Sequence, residues 1–325
     1  MRGYAEPVNI LTGQALNVNG KTTISDALPV GEGWYSAIFH VNLVIVIGTG
    51  AGPIAEGELN IVKNILLRTD RGEILANVPG RALYKMAHLL QAEPTTKDAI
   101  AAASATYTAS LPVYFADPRG LMDRDEDTVL DTKRYSALTL EVTLGGLTDL
   151  YTAPGTATLT ANLDVEVFRT KGLLPKRAEP VAHVTYDIRP PVDAFTNTLI
   201  FLERSQDLAI KRLFVHSGTA GVAGVPWSGV NSDAIQNITQ IKDQSGFISK
   251  DRIHKQVQRE NVGWFGVSGG VVVGVECYDF VRDRSVQSAL VTAGKPLLQY
   301  QWTNQGGVAA NSIVTATMQG IRSLK

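Results

Sequence analysis

Three stretches of the sequence carry residue types at spacings that resemble sites of chemistry. The glycine-rich stretch 48–53 (GTGAGP) follows a β-like run, as a dinucleotide-binding loop does, but Pro53 replaces the third glycine and no helical pattern follows it. The stretch 266–270 (GVSGG) matches the Gly-x-Ser-x-Gly pattern of a nucleophile elbow, which needs a helix after Ser268. The β-branched run at 271–275 predicts a strand there instead, so we predict a turn at Ser268 and no cofactor site at 48–53.

The third stretch is an acidic loop. Residues 123–127 (DRDED) and Asp131 place oxygen ligands at alternate positions, as a calcium-binding loop does. Thr128 stands where such a loop needs glycine, and Arg134 stands where it needs a bidentate glutamate. We predict a solvated loop over 117–134, and the sequence leaves open whether this loop binds a cation.

The remaining reactive side chains form no recognisable set. Cys277 is the only cysteine and lies in an apolar strand, which predicts a buried thiol and no disulfide. The histidines show no pair at metal-ligand spacing; they are His40, His88, His183, His216 and His254. The sequence therefore predicts no catalytic, cofactor-binding or metal-binding residues and no cofactor. Carboxylates suited to glycoside hydrolysis stay open, because such residues meet in space and not in sequence.

Composition excludes several classes of function. Among 325 residues, 19% are charged and the net charge is -1, and there is no long basic run. The chain has no net positive charge that would attract nucleic acid, so we predict no sequence-specific nucleic-acid binding. The N-terminal residues lack the apolar core of a signal peptide, and the longest apolar run, 41–47, is too short to span a bilayer as a helix.

A series of blocks recurs in the same order, which indicates a duplicated β domain. Each copy has an apolar strand with a lysine, a helix, a strand with an aromatic pair, and two strands that alternate apolar with polar residues. The paired blocks are 61–69 and 209–217, 81–91 and 249–260, 111–115 and 275–280, 138–143 and 298–303, and 159–163 and 314–318. A further helix is predicted at 97–103, and Ser249 is the predicted cap of the second-copy helix.

The repeat and the changes in composition predict four segments. Residues 1–30 are polar without a sustained period and predict an N-terminal arm; a first strand with loops is the alternative. Residues 31–170 form the first domain and 191–325 the second, and the Pro- and charge-rich stretch 171–190 is the linker. The fold class is all-β, with two tandem eight-stranded jelly-roll sandwiches and short helices in their loops.

The block order resembles a known family. The strand at 34–47, the strand at 61–69 and the helix from Arg81, followed by 275–284 and 298–302, are similar to the two halves of the double jelly-roll major capsid proteins of tailless icosahedral, membrane-containing bacteriophages, the adenovirus hexon-like lineage. The resemblance covers about residues 30–323 and lies in architecture and block order. It implies a structural protein without enzyme activity, arranged as a trimeric pseudo-hexagonal capsomer of an icosahedral virus.

The resemblance also implies partners and a location. The chain is expected to bind itself as a homotrimer and to contact neighbouring capsomers; penton or minor capsid proteins and an internal viral membrane are further expected partners. Its location would be the virion, after assembly in the host cytoplasm. Two other functions stay open: a tandem β-sandwich that binds carbohydrate or a receptor through exposed aromatic residues, for which the tryptophans are Trp34, Trp227, Trp264 and Trp302, and a hydrolase with convergent carboxylates in a cleft.

Overall fold

The computed structural model divides the chain into two compact units. Unit 1 comprises Met1–Ala87 and Ala92–Val184, and unit 2 comprises His88–Gln91 and Thr185–Lys325. The structure describes residues 6–25, 28–48, 52–90, 97–116, 129–170, 181–188, 198–201, 208–219, 232–233, 235–243, 246–282, 289–291, 298–305 and 312–322. The division between Val184 and Thr185 falls within the strand Val181–Ile188, so part of the segment 171–190 that the sequence assigns to a linker is a strand.

Unit 1 is built from nine described strands and short helices. The strands are β1 (Glu6–Leu16), β2 (Lys21–Ile24), β3 (Gly33–Val46), β4 (Val62–Thr69), β5 (Ile74–Val78), β6 (Ala105–Tyr114), β7 (Leu130–Asp131), β8 (Leu138–Leu144) and β9 (Thr158–Thr170). The helices are α1 (Gly57–Asn60), α2 (Gly80–Leu89) and α3 (Leu147–Leu150), and Thr132–Arg134 form a 3-10 turn.

The strands of unit 1 form two antiparallel sheets with a fixed order. One sheet has the order β1-β9-β3-β6, with the two-residue β7 paired to the start of β3, and the other has the order β2-β8-β4-β5. If β7 is left out and the eight main strands are numbered along the chain, these orders are 1-8-3-6 and 2-7-4-5. Neighbours in each sheet come from distant parts of the chain, as in a jelly roll.

Unit 2 repeats this topology strand by strand. Its first strand, β10 (Val181–Ile188), begins four residues before the division at Thr185. The elements that follow are β11 (Thr198–Phe201), β12 (Leu208–Thr219), β13 (Gln236–Asp243), β14 (Gly246–Ile253), α4 (His254–Phe265), β15 (Val275–Asp279), β16 (Leu290–Val291), β17 (Gln299–Asn304) and β18 (Ser312–Arg322). The sheet orders are β10-β18-β12-β15 and β11-β17-β13-β14, which are again 1-8-3-6 and 2-7-4-5. The two-residue β16 pairs with the start of β12, as β7 does with β3. The expected double jelly roll is confirmed.

Strand β3 shows why these sequences form a sandwich. It is rich in β-branched and aromatic residues, which favour extended backbone. Its side chains alternate, so that Phe39, Val41 and Leu43 are buried in the core while His40 and Asn42 are only half-buried on the other face. Such alternation places one face of a sheet against a core.

The core of unit 2 is dominated by aromatic residues from two strands. The rings of Tyr300 and Trp302 lie 5.8 Å apart, and Tyr278 meets Tyr300 edge-on at 6.1 Å. These rings pack with aliphatic side chains of β12 and β18, including Leu213, and with Val257 of α4. Buried aromatic pairs of this kind contribute beyond the area that they bury, by about 1 kcal/mol each.

The predicted N-terminal arm differs from the structure over residues 6–24. These residues form β1 and β2, and β1 pairs with β9 from Glu6 opposite Arg169 to Leu16 opposite Ala161. The register shifts twice, and Gly13 in the irregular part adopts a positive φ of 66°. Each shift interrupts the period of two, and this is why the segment shows no sustained alternation in sequence. Residues 1–5 lie outside the described residues.

One pair of blocks in the predicted repeat does not occupy corresponding strands of the two units. The stretch 61–69 forms β4, the fourth strand of unit 1, whereas 209–217 lies in β12, the third strand of unit 2. Both strands lie between two neighbours, β4 between β5 and β8 and β12 between β15 and β18. Similar surroundings give them a similar apolar pattern. The other four block pairs lie in corresponding elements of the two units.

The predicted helices are partly correct. The helix at 81–91 corresponds to α2, but the second-copy helix begins at His254, not Ser249, because residues up to Ile253 pair with β13 as an edge strand. No helix forms at 97–103: Lys97 bridges to Ala109, so this segment runs along β6. The run 271–274 is not a strand, since β15 begins at Val275. Among the helices in the described ranges, none is both long and apolar enough to cross a membrane.

We expect removal of residues 1–16 to unfold unit 1, because β9 would lose its neighbour along most of its length. The lost strand carries eight register pairs with β9, and at about 0.5–1.5 kcal/mol per backbone hydrogen bond the loss is comparable with the whole stability of a typical domain. Limited proteolysis with peptide mapping measures this as rapid cleavage within residues 33–170. Deletion of residues 1–5, which precede β1, is the control and should leave the cleavage rate unchanged. A protease-resistant unit 1 without β1 would contradict the assignment of β1 to the sandwich.

Candidate functional site

The connection between the fifth and sixth strands carries a helix in both units, and charged residues gather around it. Helix α2 lies between β5 and β6, and α4 lies between β14 and β15. In each case a basic side chain in the first turn contacts an acid from the segment before the fourth strand. The pairs are Arg81 with Glu56 and His254 with Asp233. Since a cation at a helix N-terminus opposes the helix dipole, the acid in each pair offsets an unfavourable position.

In unit 1 the cluster is built on Glu56. Its carboxylate lies 3.2 Å from Nη2 of Arg81 and 2.5 Å from Nζ of Lys85, and next to it Lys97 pairs with Glu58. Burial lowers the pKa of Arg81 to about 10, although the charges of Glu56 and Glu58 oppose this. Burial would raise the pKa of Glu56, but the charges of Lys85 and Arg81 outweigh it and lower that pKa. Both partners in the Arg81–Glu56 pair are therefore charged at neutral pH.

In unit 2 the corresponding cluster is built on His254. Its Nδ1 lies 3.1 Å from Oε2 of Glu276, and its Nε2 lies 3.5 Å from Oδ1 of Asp233. Burial alone would lower the pKa of His254, but its bonds to the two carboxylates and their charges raise the pKa to about 9. Burial would raise the pKa of Asp233, whereas its contacts with His254, Gln258 and the Gly274 amide lower it. The imidazolium thus binds one carboxylate with each ring nitrogen.

The carboxylates of this cluster are already occupied by protein groups. Glu276 is fully buried, and its Oε1 accepts the hydroxyl of Tyr300. Oδ1 of Asp233 accepts Nε2 of Gln258 at 2.7 Å and the amide of Gly274 at 2.5 Å. Burial, followed by the charge of Glu276, raises the pKa of Tyr300 well above its usual value. These groups hold α4 and β15 together, and a buried, fully bonded Glu276 cannot exchange protons with a substrate.

Both units also cover the outer edge of their sixth strand. In unit 2 the amide side chain of Asn261 donates to the carbonyl of Cys277 at 2.8 Å and accepts its amide at 2.7 Å, so one side chain replaces a neighbouring strand. In unit 1 Asp98 does this for β6, because its amide donates to the carbonyl of Thr108 and its carboxylate accepts the Thr108 amide. At Thr108 and Cys277 the backbone groups of the strand edge are therefore paired and do not bind a strand from another molecule.

The structure places a serine, a histidine and a carboxylate next to one another, and sequence spacing did not reveal this arrangement. Nδ1 of His40 lies 2.9 Å from Oγ of Ser110, and its Nε2 lies 3.5 Å from Glu166. The three residues lie on adjacent strands β6, β3 and β9. Ser110 is only 3% exposed, so a substrate carbonyl cannot reach its hydroxyl. The row serves to join strands, as does the neighbouring row from Thr108 through Asn42 to Asp164.

The motifs that resemble chemistry have structural roles where they are described. Ser268 is an exposed turn residue between a helix and a strand, which confirms the prediction and reverses the order of a nucleophile elbow. Pro53 forms an isolated bridge to Tyr151, while residues 49–51 lie outside the described residues. Within the acidic loop, 117–128 lie outside them too; Asp131 caps the following 3-10 turn by accepting the amide of Lys133.

Other single residues take the places expected of core residues. Cys277 is buried, as predicted. Trp34 and Trp302 are buried, Trp264 is partly exposed, and Trp227 lies outside the described residues, so the tryptophans of the described part give no aromatic platform for a sugar. His88 is exposed, His216 is buried, and the side chain of His183 lies outside the described residues. In the part of the chain that the structure describes, no three His, Cys, Asp or Glu residues are placed to share a metal ion.

Comparison with known proteins identifies the fold. No protein-family model and no curated protein matches the chain. Among solved structures, it is similar to the major capsid protein of Sulfolobus turreted icosahedral virus, with 15% identity, a TM-score of 0.65, and coverage of 99% of this chain and 97% of that one. It is also similar to the major capsid protein P2 of bacteriophage PM2 (11% identity, TM-score 0.60, 98% of each chain) and to the capsid of PBCV-1 (11%, 0.60, 99% and 96%). These likenesses show that the chain has the double jelly-roll fold.

We expect the His254 cluster to give unit 2 a stability that is lost in alkali. The pKa is raised from 6.5 to about 9 in the folded chain, so the contribution is complete below pH 6.5 and disappears as pH rises through 9. At 1.36 kcal/mol per pH unit its size is on the order of 3 kcal/mol. Urea unfolding at pH 6 and pH 9.5 should show this loss in the wild type and not in His254→Gln. His88→Gln, at an exposed histidine, is the control and should behave as the wild type; equal pH dependence in all three would rule out the cluster as its cause.

Proposed function

We propose that this chain is the major capsid protein of an icosahedral virus, a structural protein that acts by assembling and not by catalysis. The observation that carries the proposal is the extent of the match with capsid proteins, which spans 97% or more of two of them as well as nearly all of this chain.

The duplicated subunit suits a hexagonal lattice. Three copies, each with two similar units, present six similar blocks around a threefold axis, and closed point symmetry limits growth to the capsomer. The covered edges of β6 and β15 also suit a protein that must assemble at high concentration, because strand addition would compete with ordered contacts. We propose a homotrimer that contacts neighbouring capsomers.

Further partners and the place of assembly follow from the same proposal. Penton or minor capsid proteins would complete the shell, and an internal viral membrane would lie beneath it if the virus has one, as in the membrane-containing bacteriophages. Assembly would occur in the host cytoplasm and the mature protein would be part of the virion. The near-neutral chain, with net charge -1, allows many copies to pack closely without strong mutual repulsion.

The occupied acids and buried tryptophans do not support the two rival functions. A hydrolase needs carboxylates that a substrate can reach, whereas Glu276 is buried and bonded by Tyr300 and His254. A carbohydrate-binding sandwich needs several aromatic faces on one exposed surface, and Trp34 and Trp302 lie in the cores.

Mass in solution is the direct test of the proposal. We expect light scattering of the purified chain to give three times the 35.0 kDa monomer mass, stable to dilution, and electron microscopy to show larger shells or sheets when the concentration is raised. The control is the deletion of residues 1–16, which should give no trimer because unit 1 unfolds. A folded monomer at every concentration and salt would contradict the capsomer proposal.

A further inference from the structure

The exposed apolar side chains of the described residues are concentrated around α4. Six large hydrophobic residues are exposed among the described residues, and four of them lie between residues 253 and 273: Ile253, Trp264, Val271 and Val273. Single exposed hydrophobics scattered over a chain are ordinary, whereas four on one helix and its flanking residues indicate an interaction site. Residues 252–273 together with Arg282 are called the α4 surface below.

Trp264 is held in place on this surface although it is 36% exposed. Its Nε1 donates to Oδ2 of Asp279 at 3.1 Å, and the guanidinium of Arg282 lies 5.7 Å from its ring centre. Asp279 is in turn paired with the buried Arg212 at 3.3 Å. An aromatic ring that is fixed before binding loses little conformational entropy on binding, and Trp and Arg are the residues that most often anchor interfaces.

The loop after α4 turns its valines outward in a fixed arrangement. Gly266, Gly270 and Gly274 have positive φ values of 67°, 83° and 67°, which only glycine adopts readily. Gly274 donates its amide to Asp233 and accepts the amide of Ser217, so the end of the loop is tied to the sandwich. Val272 is buried between two exposed valines. The backbone conformation of this loop therefore sets the positions of the two exposed valines.

The charge of the α4 surface is basic. Lys255 and Arg259 are exposed on the helix, and Arg252 and Arg282 lie 34% and 45% exposed beside it. The acidic residue of α4 is Glu260, which pairs with Arg252 and lies 3.9 Å from Arg282. An apolar centre with a basic rim requires a partner surface with acidic groups.

The chain itself supplies an acidic partner. Unit 1 contains twenty acidic and sixteen basic residues, a net charge of -4, whereas unit 2 contains eleven acidic and fourteen basic residues, a net charge of +3. The overall charge of -1 thus conceals two units of opposite sign. A copy of this chain offers an acidic unit to the basic surface of another copy.

We propose that the α4 surface of one copy docks on unit 1 of a second copy, with Trp264 as its apolar anchor and Lys255 and Arg259 paired with carboxylates of the partner. The contact joins two different surfaces, so it is heterologous, and a heterologous contact that closes gives a ring. This inference rests on the proposed capsomer and names the surface through which its copies meet.

Zero-length cross-linking of the assembled full-length protein is the test that needs no variant. A carbodiimide couples the amine of Lys255 to a carboxylate in direct contact, with loss of water. Oligomers assembled from unlabelled and isotope-labelled chains distinguish cross-links between copies from those within one copy. We expect cross-links in mixed-label peptides that join Lys255 to acidic residues within 1–184. Cross-links from Lys255 to acidic residues within 185–325 of the other copy, or no cross-link at Lys255, would overturn the proposal.

Two variants test the same contact by affinity. In Lys255→Glu/Arg259→Glu the surface becomes acidic, and in Trp264→Ala the anchor is removed; each should raise the dissociation constant of the oligomer at least tenfold, as mass photometry over a dilution series measures. Lys133→Glu is the control for charge reversal, because Lys133 is exposed in the acidic unit 1. It should not weaken association. Circular dichroism shows whether each variant is folded.

The outcomes separate this inference from the function on which it rests. If the wild type is an oligomer and the two variants associate as tightly as it does, the α4 surface is not the contact although the capsomer stands. If the folded wild type stays monomeric at all concentrations, the capsomer proposal fails and this inference fails with it. Weakening by high salt in the wild type but not in the charge-reversed variant supports the ionic part of the contact.

Discussion

The structure depends on the position of the last strand of each unit between the first and the third. In unit 1, β9 pairs with β3 along its whole length, from Gly33 opposite Thr170 to Val46 opposite Thr158, and with β1 on its other side. In unit 2, β18 occupies the same place beside β12. Because the two ends of each unit must meet before its main sheet is complete, every sheet is held by contacts that are distant in sequence. A topology with so many contacts between distant parts of the chain is expected to fold slowly.

The two units fix the helix before their sixth strand with different ion pairs. Each helix before the sixth strand is tied to the segment before the fourth strand by an ion pair, Arg81 with Glu56 in unit 1 and His254 with Asp233 in unit 2. Burial lowers the pKa of Arg81 to about 10, and the carboxylates raise the pKa of His254 to about 9. The pair therefore has the same place in both units but not the same residues, and the charge of the pair in unit 2 is lost at the lower pH.

Much of the fold follows from periodicity, and the errors have identifiable causes. The helix at α2 and the strands at β3, β8 and β17 follow from apolar spacing, since their faces are buried in a regular way. The prediction of an N-terminal arm was wrong because register shifts break the alternation of β1. The prediction of Ser249 as a helix cap was wrong because the polar end of an edge strand resembles a capping segment. The cluster of Asp233, His254 and Glu276 could not be found by spacing, because its members meet only through the topology. A carboxylate at position 276 inside an apolar, aromatic strand was the signal available.

The division of charge between the units shows why total composition is a poor guide to assembly. A net charge of -1 suggests a protein without electrostatic preference, yet the units carry -4 and +3. Over a screening length of about 8–10 Å at physiological salt, opposite units of two copies attract while like units repel. Repulsion between like units disfavours contacts that join unit 1 to unit 1 or unit 2 to unit 2, and attraction between unlike units favours the head-to-tail contact that we propose. In the assembly that we propose, two units of the same topology and opposite charge supply both sides of a directional contact. Their shared topology would provide the similar blocks, and their different surfaces would decide which block meets which.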